Sequence, residues 1–257
     1  MTTQKILILP DIQVPYQDER ALGPVLDYAA TERWDEIVQL GDFVDCDTLS
    51  RHDPDDLMSR EGKRLSEEFD AANDVLGRIL KAGRRKNRSA RCTILKGNHE
   101  YRIERFVAKH PMLEGLLDLE KALELKKKSV KLVECWPTGA VHTIGKLNFT
   151  HGVYCGDNHA KKHVLGYGAN IVYGHTHQVQ VYTHAQHAHG GPICAWSMGC
   201  LCLIPLPYLE GRPCNWQHAF GVAHVRKSGK FNISCVNVVK GWFTAPNGRD
   251  FSPRRKG

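Results

Sequence analysis

The sequence has no apolar stretch long enough to cross a bilayer. The best candidate, Ile193 to Leu206, is broken by Ser197, Gly199 and Pro205 and falls short of the roughly 20 residues required, so buried core is expected there. Secretion-signal grammar is missing as well: Met1 to Pro10 offers one lysine and a five-residue apolar run, followed at once by Asp11. Paired Cys-x-x-Cys motifs are absent, and nine cysteines, an odd number, fit a reduced interior better than a disulfide framework. A cytoplasmic setting with no membrane partner is expected. No internal repeat or long linker is visible, and the only tail-like segment is the basic run 252–257.

What is present is an ordinary globular composition. At 257 residues, 42% hydrophobic and 25% charged, the chain can bury a core without staples, and a single domain over residues 1–257 is the simplest organisation. The net charge of +7 permits a polyanionic partner such as nucleic acid without establishing one.

Short Ile, Val and Leu runs alternate with helical patterns through the first half, which predicts an α/β fold. Strands are expected at Ile6 to Leu9, Ile37 to Leu40 and Cys92 to Leu95, with a helix over Arg20 to Ala30. Leu65, Phe69, Ala72, Leu76 and Ile79 recur at helical spacing and mark one inward face of a long helix. A second helical stretch is read over Tyr101 to Lys128, and after it closely spaced strands: Val130 to Val133, Val141 to Ile144, Leu147 to Thr150, Ile171 to Tyr173 and Val179 to Tyr182. Phe220 to Val225 and Phe231 to Val239, around Ser228-Gly229, predict a closing hairpin. Two packed sheets with outer helices accommodate all of these elements.

The polar residues just past the predicted strands repeat one theme. The first strand ends in Pro10-Asp11-Ile12-Gln13, the second in Gly41-Asp42-Phe43-Val44-Asp45 and the third in Gly97-Asn98-His99-Glu100. Later strands end in His151-Gly152 and Gly174-His175-Thr176-His177. Ligands bind beyond the carboxyl ends of strands in open α/β sheets, so five distant turns can converge on one patch. Carboxylate, amide and imidazole together describe a divalent-metal site.

This ordered series resembles the calcineurin-like metallophosphoesterase superfamily over roughly Ile6 to His177. The resemblance implies a four-layer α/β/β/α sandwich of two mixed sheets flanked by helices. It also implies two divalent metal ions, one held by Asp11, Gln13, Asp42 and His177 and the other by Asp42, Asn98, His151 and His175, with Asp42 bridging. Hydrolysis of a phosphomonoester or phosphodiester by a hydroxide activated at that pair would follow, with His99 as general acid and Asp45 orienting it. His is usual where this chain has Gln13. An uncharged oxygen ligand there favours manganese, or magnesium, over zinc, iron or nickel.

Asp45 and Glu100 depart from the double-strand-break nuclease branch, which carries His and Asp there, and Cys46 departs from the protein phosphatases, which carry Arg. A small or nucleotide-like phosphoester is therefore the expected substrate, with a DNA or RNA nuclease and a non-catalytic metal-binding scaffold as alternatives.

Other features read as structural. The basic run Lys81, Arg84, Arg85, Lys86, Arg88 and Arg91 suits a solvated helix end. Arg102 is left outside the site, between a phosphate contact and an ion pair. His184, His187 and His189 are read as an exposed loop rather than a further metal cluster, Cys194, Cys200, Cys202 and Cys214 as buried thiols rather than a zinc site, and Trp196, Trp216 and Trp242 as core rather than base-stacking rings.

Overall fold

The computed structural model describes residues 3–50, 61–186, 191–209 and 212–254. Strand β1 (Thr3–Leu9) shows why Ile6 to Leu9 is apolar at every position: both of its faces are covered. Leu7 and Leu9 enter the core shared with helices α1 (Glu19–Ala29) and α2 (Leu65–Gly83), while Ile6 and Ile8 enter a second core between two sheets. The same period of two sends Ile37 of β2 (Glu36–Gln39) outward to the helices and Val38 inward.

Strands β1, β2, β3 (Arg91–Leu95) and β4 (Lys131–Val133) run parallel in that order. On the other edge of β1 lies the predicted hairpin, β10 (Ala219–Arg226) and β11 (Phe231–Asn237), giving the sheet order β11-β10-β1-β2-β3-β4. The second sheet comprises β5 (His142–Ile144), β6 (Leu147–Phe149), β7 (Ile171–Tyr173), β8 (Val179–His184) and β9 (Ile193–Met198). Its order is β5-β6-β7-β9-β8, with β6, β7 and β9 parallel. Helix α5 (His159–Tyr167) closes the outer face, packing Ala160 and Val164 on Ile171, Tyr173 and Ala195. The layers are therefore α/β/β/α, as expected. No helix among the described residues is long and apolar enough to cross a membrane.

Several expectations need correction. The stretch Tyr101 to Lys128 is two helices, α3 (Tyr101–Lys109) and α4 (Leu119–Ala122), because Pro111 cannot continue the first and pushes His110 out of helical backbone. Helix α5 lies where no helix was expected. Ile193 to Leu206 is buried core only in part, its first six residues forming β9. His184 ends strand β8 rather than standing in a loop, and His187 and His189 lie outside the described residues. Cys200 and Cys202 are buried, whereas Cys194 and Cys214 are half-buried. Trp242 is 48% exposed and so is not core, whereas Trp196 packs against the core between the sheets, edge-on to Phe231, and Trp216 packs against Cys200, Cys202 and Leu206. The basic run is solvated as expected, with Lys81, Arg85, Lys86, Arg88 and Arg91 exposed, although Arg84 binds the carbonyls of Ala90, Lys128 and Ser129 and Arg91 pairs with buried Glu36.

Candidate metal centre

All five polar turns lie beyond the carboxyl ends of the parallel strands β1, β2, β3, β6 and β7, and the two sheets present them to one another. Close approach is possible because two turn residues are glycines. A Cβ on Gly97 would collide with the Asp42 carboxylate, and one on Gly174 with that of Asp11. Gln13, Asp42, His175 and His177 all have left-handed backbone, with φ of 49°, 49°, 69° and 58°. Such residues cost of order 1–3 kcal/mol each and persist only where the surroundings enforce them. Fully buried Ile6, Leu7, Ile8 and Leu9, worth about 1.5–3 kcal/mol each, show how the flanking strands can hold that strain.

Five of the seven expected ligand side chains gather into two groups, Asn98 joins them through His151, and Gln13 lies next to them against His99. Asp11 Oδ1 lies 3.4 Å from His177 Nε2, and Asp42 Oδ1 lies 3.3 Å from His151 Nε2. Asn98 Oδ1 accepts from His151 Nε2 at 2.9 Å. The His151 and His175 rings are 5.0 Å apart, and Gln13 is joined through its Nε2, 3.3 Å from His99 Nε2. One ligand atom each from Asp42, His151 and His175, and from Asp11, Asp42 and His177, can be drawn within a single ion's reach, with Asp42 common to both groups.

Each of the three histidines turns one nitrogen to this cluster and the other to an outer partner. His151 Nδ1 meets the Leu40 carbonyl at 2.9 Å, His175 Nε2 meets Cys155 Sγ at 3.2 Å, and His177 Nδ1 lies 4.0 Å from Cys202 Sγ. That arrangement is typical of metal-ligating imidazoles. Among the described residues, buried His175 Nδ1 and Gln13 Oε1 have no hydrogen-bond partner, and a cation in each ligand group would supply one. Hard oxygens from Asp11, Asp42, Asn98 and Gln13 with three imidazoles thus fit divalent metal.

The electrostatics agree with a cation-ready pocket. Although burial opposes ionisation, the charges of His151 and His99 hold Asp42 well below the usual carboxylate range. Against its own burial, His151 is pushed up to about 9 by Asp42. Burial and neighbouring His151 bring His175 down to about 4, leaving a neutral ring with a lone pair to donate.

His99 and Asp45 lie together, with His99 Nδ1 3.1 Å from the Asp45 main-chain carbonyl and, farther off at 3.4 Å, from its carboxylate Oδ1. Arg102, set aside on sequence, completes the group: Nη1 donates to Asp45 Oδ1 at 3.0 Å, and Nη2 lies 3.3 Å from His99 Nε2. A guanidinium only donates, so His99 Nε2 is the acceptor and the proton sits on Nδ1. Spacing alone held the signal, because Arg102 follows His99 by three residues across the helix start. Glu100 was also missed. Its carboxylate accepts from the amides of Gly97, Asp42, Phe43 and Val44 and locks two ligand turns together.

The chain belongs to the calcineurin-like phosphoesterase family, whose model matches residues 4–179. Two phage proteins are similar along nearly their whole length. The Gene 54 protein of Mycobacterium phage L5 is 24% identical over 237 residues, covering 87% of this chain and 89% of that protein. Its counterpart in Mycobacterium phage D29 is 26% identical over 261 residues, covering 94% and 96%. Among solved structures, a single mutant of Vps29 from Entamoeba histolytica matches with 15% identity, 93% and 94% coverage and a TM-score of 0.45. Chaetomium thermophilum Vps29 matches with 12% identity, 96% and 93% coverage and a TM-score of 0.45.

Proposed function

We propose that this protein hydrolyses a phosphomonoester or phosphodiester with two divalent cations, manganese foremost, held by Asp11, Gln13, Asp42 and His177 and by Asp42, Asn98, His151 and His175. The observation that supports the reading is that Asp11, Asp42, His151, His175 and His177 fall into two groups sharing Asp42, with Asn98 bonded to His151, and that His175 Nδ1 and Gln13 Oε1 are buried without a hydrogen-bond partner among the described residues. Cations bound there would polarise the phosphoryl oxygens and make a water nucleophilic at neutral pH.

The chain's own residues supply positioning and proton transfer. Asp42 is shared by both ligand groups, so its loss disturbs both. His99 Nε2 is the atom that would carry a proton to the departing oxygen. To do so it must give up its contacts with Arg102 and Gln13 and take up a proton, which Asp42 and Asp45 favour: against the effect of burial, they raise its pKa. Asp45 fixes the tautomer by accepting from Nδ1, and Arg102 holds Asp45 in turn.

The test is hydrolysis by protein stripped of metal and reloaded with manganese, magnesium or zinc, offered a phosphomonoester, a simple diester, a cyclic nucleotide and a phosphopeptide. Manganese-dependent release of phosphate or alcohol is expected. No hydrolysis with any metal would leave a binding scaffold as the better reading.

A further inference from the structure

We propose that the substrate is a nucleic-acid phosphodiester whose bases stack on Trp136 and Trp216, one beside each ligand group. The inference rests on the phosphoesterase reading and narrows it to a substrate class.

Trp136 stands on the loop after β4. Its amide donates to the Lys96 carbonyl at 3.2 Å, directly before Gly97, and its ring lies 5.5 Å from that of His175 and 6.3 Å from that of His151. Trp216 meets the histidine of the other ligand group. Its ring lies 4.1 Å from that of His177, and the next residue, Gln217, donates its amide to the His177 carbonyl at 2.9 Å. One tryptophan therefore flanks the proposed Asp42, Asn98, His151 and His175 group, and the other flanks the Asp11, Gln13, Asp42 and His177 group. Both are anchored by backbone hydrogen bonds to the ligand turns or to the residue just before one.

Although Trp216 packs against the small cluster of Cys200, Cys202 and Leu206, neither is fully enclosed as a core aromatic is. Trp34 shows what that looks like here, fully buried with its indole donating to the Ala29 carbonyl at 2.8 Å. Trp136 and Trp216 are half-buried beside the polar centre, where an apolar ring gains most by being covered by another flat ring. Trp216 also walls a cavity of about 690 Å³, whose lining includes Asp18, Arg20, Gln217, His218 and Asn237. That volume suits a nucleoside, and amide, carboxylate and imidazole groups can meet the donors and acceptors of a base edge. A phosphomonoester has one organic substituent, whereas a diester has two leaving the phosphorus in different directions. Two aromatic platforms flanking the centre match the diester. The net charge of +7 favours a polyanion on approach.

The experiment compares a fluorescein-labelled single-stranded oligonucleotide with one of equal length in which the nucleotides around the central phosphate are stable abasic analogues. Binding is read by fluorescence anisotropy in EDTA. Repulsion from Asp11 and Asp42 then acts on both probes alike and cancels from their affinity ratio. Base stacking on an aromatic side chain predicts that the base-bearing probe binds more tightly, and that Trp136→Ala and Trp216→Ala each reduce this preference about 5- to 150-fold. The phenylalanine variants should keep most of it. A thymidine mononucleotide ester separates a small nucleotide from a strand: sensitivity to one tryptophan alone, with no advantage for the oligonucleotide, overturns the two-sided diester. Equal affinity for the two probes, or alanine variants that weaken both equally, also overturns the inference. A base preference without hydrolysis under any metal defeats the phosphoesterase reading while supporting the stacking; hydrolysis without base preference does the reverse.

Discussion

Glu100 holds the Asp42 turn in place through hydrogen bonds to the Asp42 amide at 3.1 Å, the Phe43 amide at 2.6 Å and the Val44 amide at 3.0 Å. Its fourth bond, from the Gly97 amide at 2.8 Å, closes the neighbouring turn on the same carboxylate. Burial and the adjacent Asp42 charge push this group up to about 7, against the pull of its amide donors. Glu100→Gln replaces one acceptor oxygen with a donor facing buried amides. A loss of about 3 kcal/mol and a fall in Tm of about 6–12 °C are expected by calorimetry, together with reduced metal content. Unchanged metal content in a folded variant would contradict the bracing role.

Asp42 stands in both candidate ligand groups. Asp42→Asn keeps the shape and removes the charge. Metal content by mass spectrometry should fall for both ions, and turnover by at least about 100-fold. Retention of two ions per chain would remove Asp42 from its shared position.

His99 is expected to separate binding from chemistry. His99→Ala should lower kcat by about 10²–10⁴ while metal content stays near that of the parent. Loss of metal in this variant would make His99 a ligand or a structural support instead.

His163 sets an acid limit on folding. Its Nε2 accepts from the Val153 amide at 3.0 Å, and its Nδ1 meets the His159 carbonyl at 2.8 Å, so the ring is required in its neutral form. Burial lowers its pKa to about 4, against about 6.5 for an unfolded histidine. Because the unfolded chain takes up the proton first, this contribution is complete above about pH 6.5 and is lost as pH falls toward 4, a change on the order of 2–3 kcal/mol. Denaturant titrations between pH 8 and 4 should show that slope. It should flatten in His163→Gln, which keeps an acceptor but cannot titrate.

The architecture was readable where burial writes a simple period. Ile6 to Leu9, apolar throughout, announced a strand covered on both faces, and Ala72, Leu76 and Ile79 announced one helix face. The ligand turns were readable because each follows such a strand directly. Helix α5 was hidden because its buried side includes His159 and His163, which a hydropathy pattern counts as polar. Gly168, at φ 60° with its amide bonded to the Val164 carbonyl, was the stop signal available. Trp216, and the Asp45 half of the Arg102 contacts, escaped for another reason. Their meaning lies in contacts with Asp45 and His177, at sequence separations no local pattern spans.

The pairing of β10 with β1 along Thr3 to Ile8 has a practical bearing on where the protein can be cut. The family resemblance ends at residue 179, yet everything that shields the outer edge of β1 is encoded after it. A shortened clone stopping there would leave six residues of naked strand backbone, and Asp11 would lose the Leu201 amide that donates to its carbonyl at 2.7 Å. Such a fragment would present a sticky edge to its own copies, so the terminal hairpin is as much a guard against aggregation as a part of the sheet.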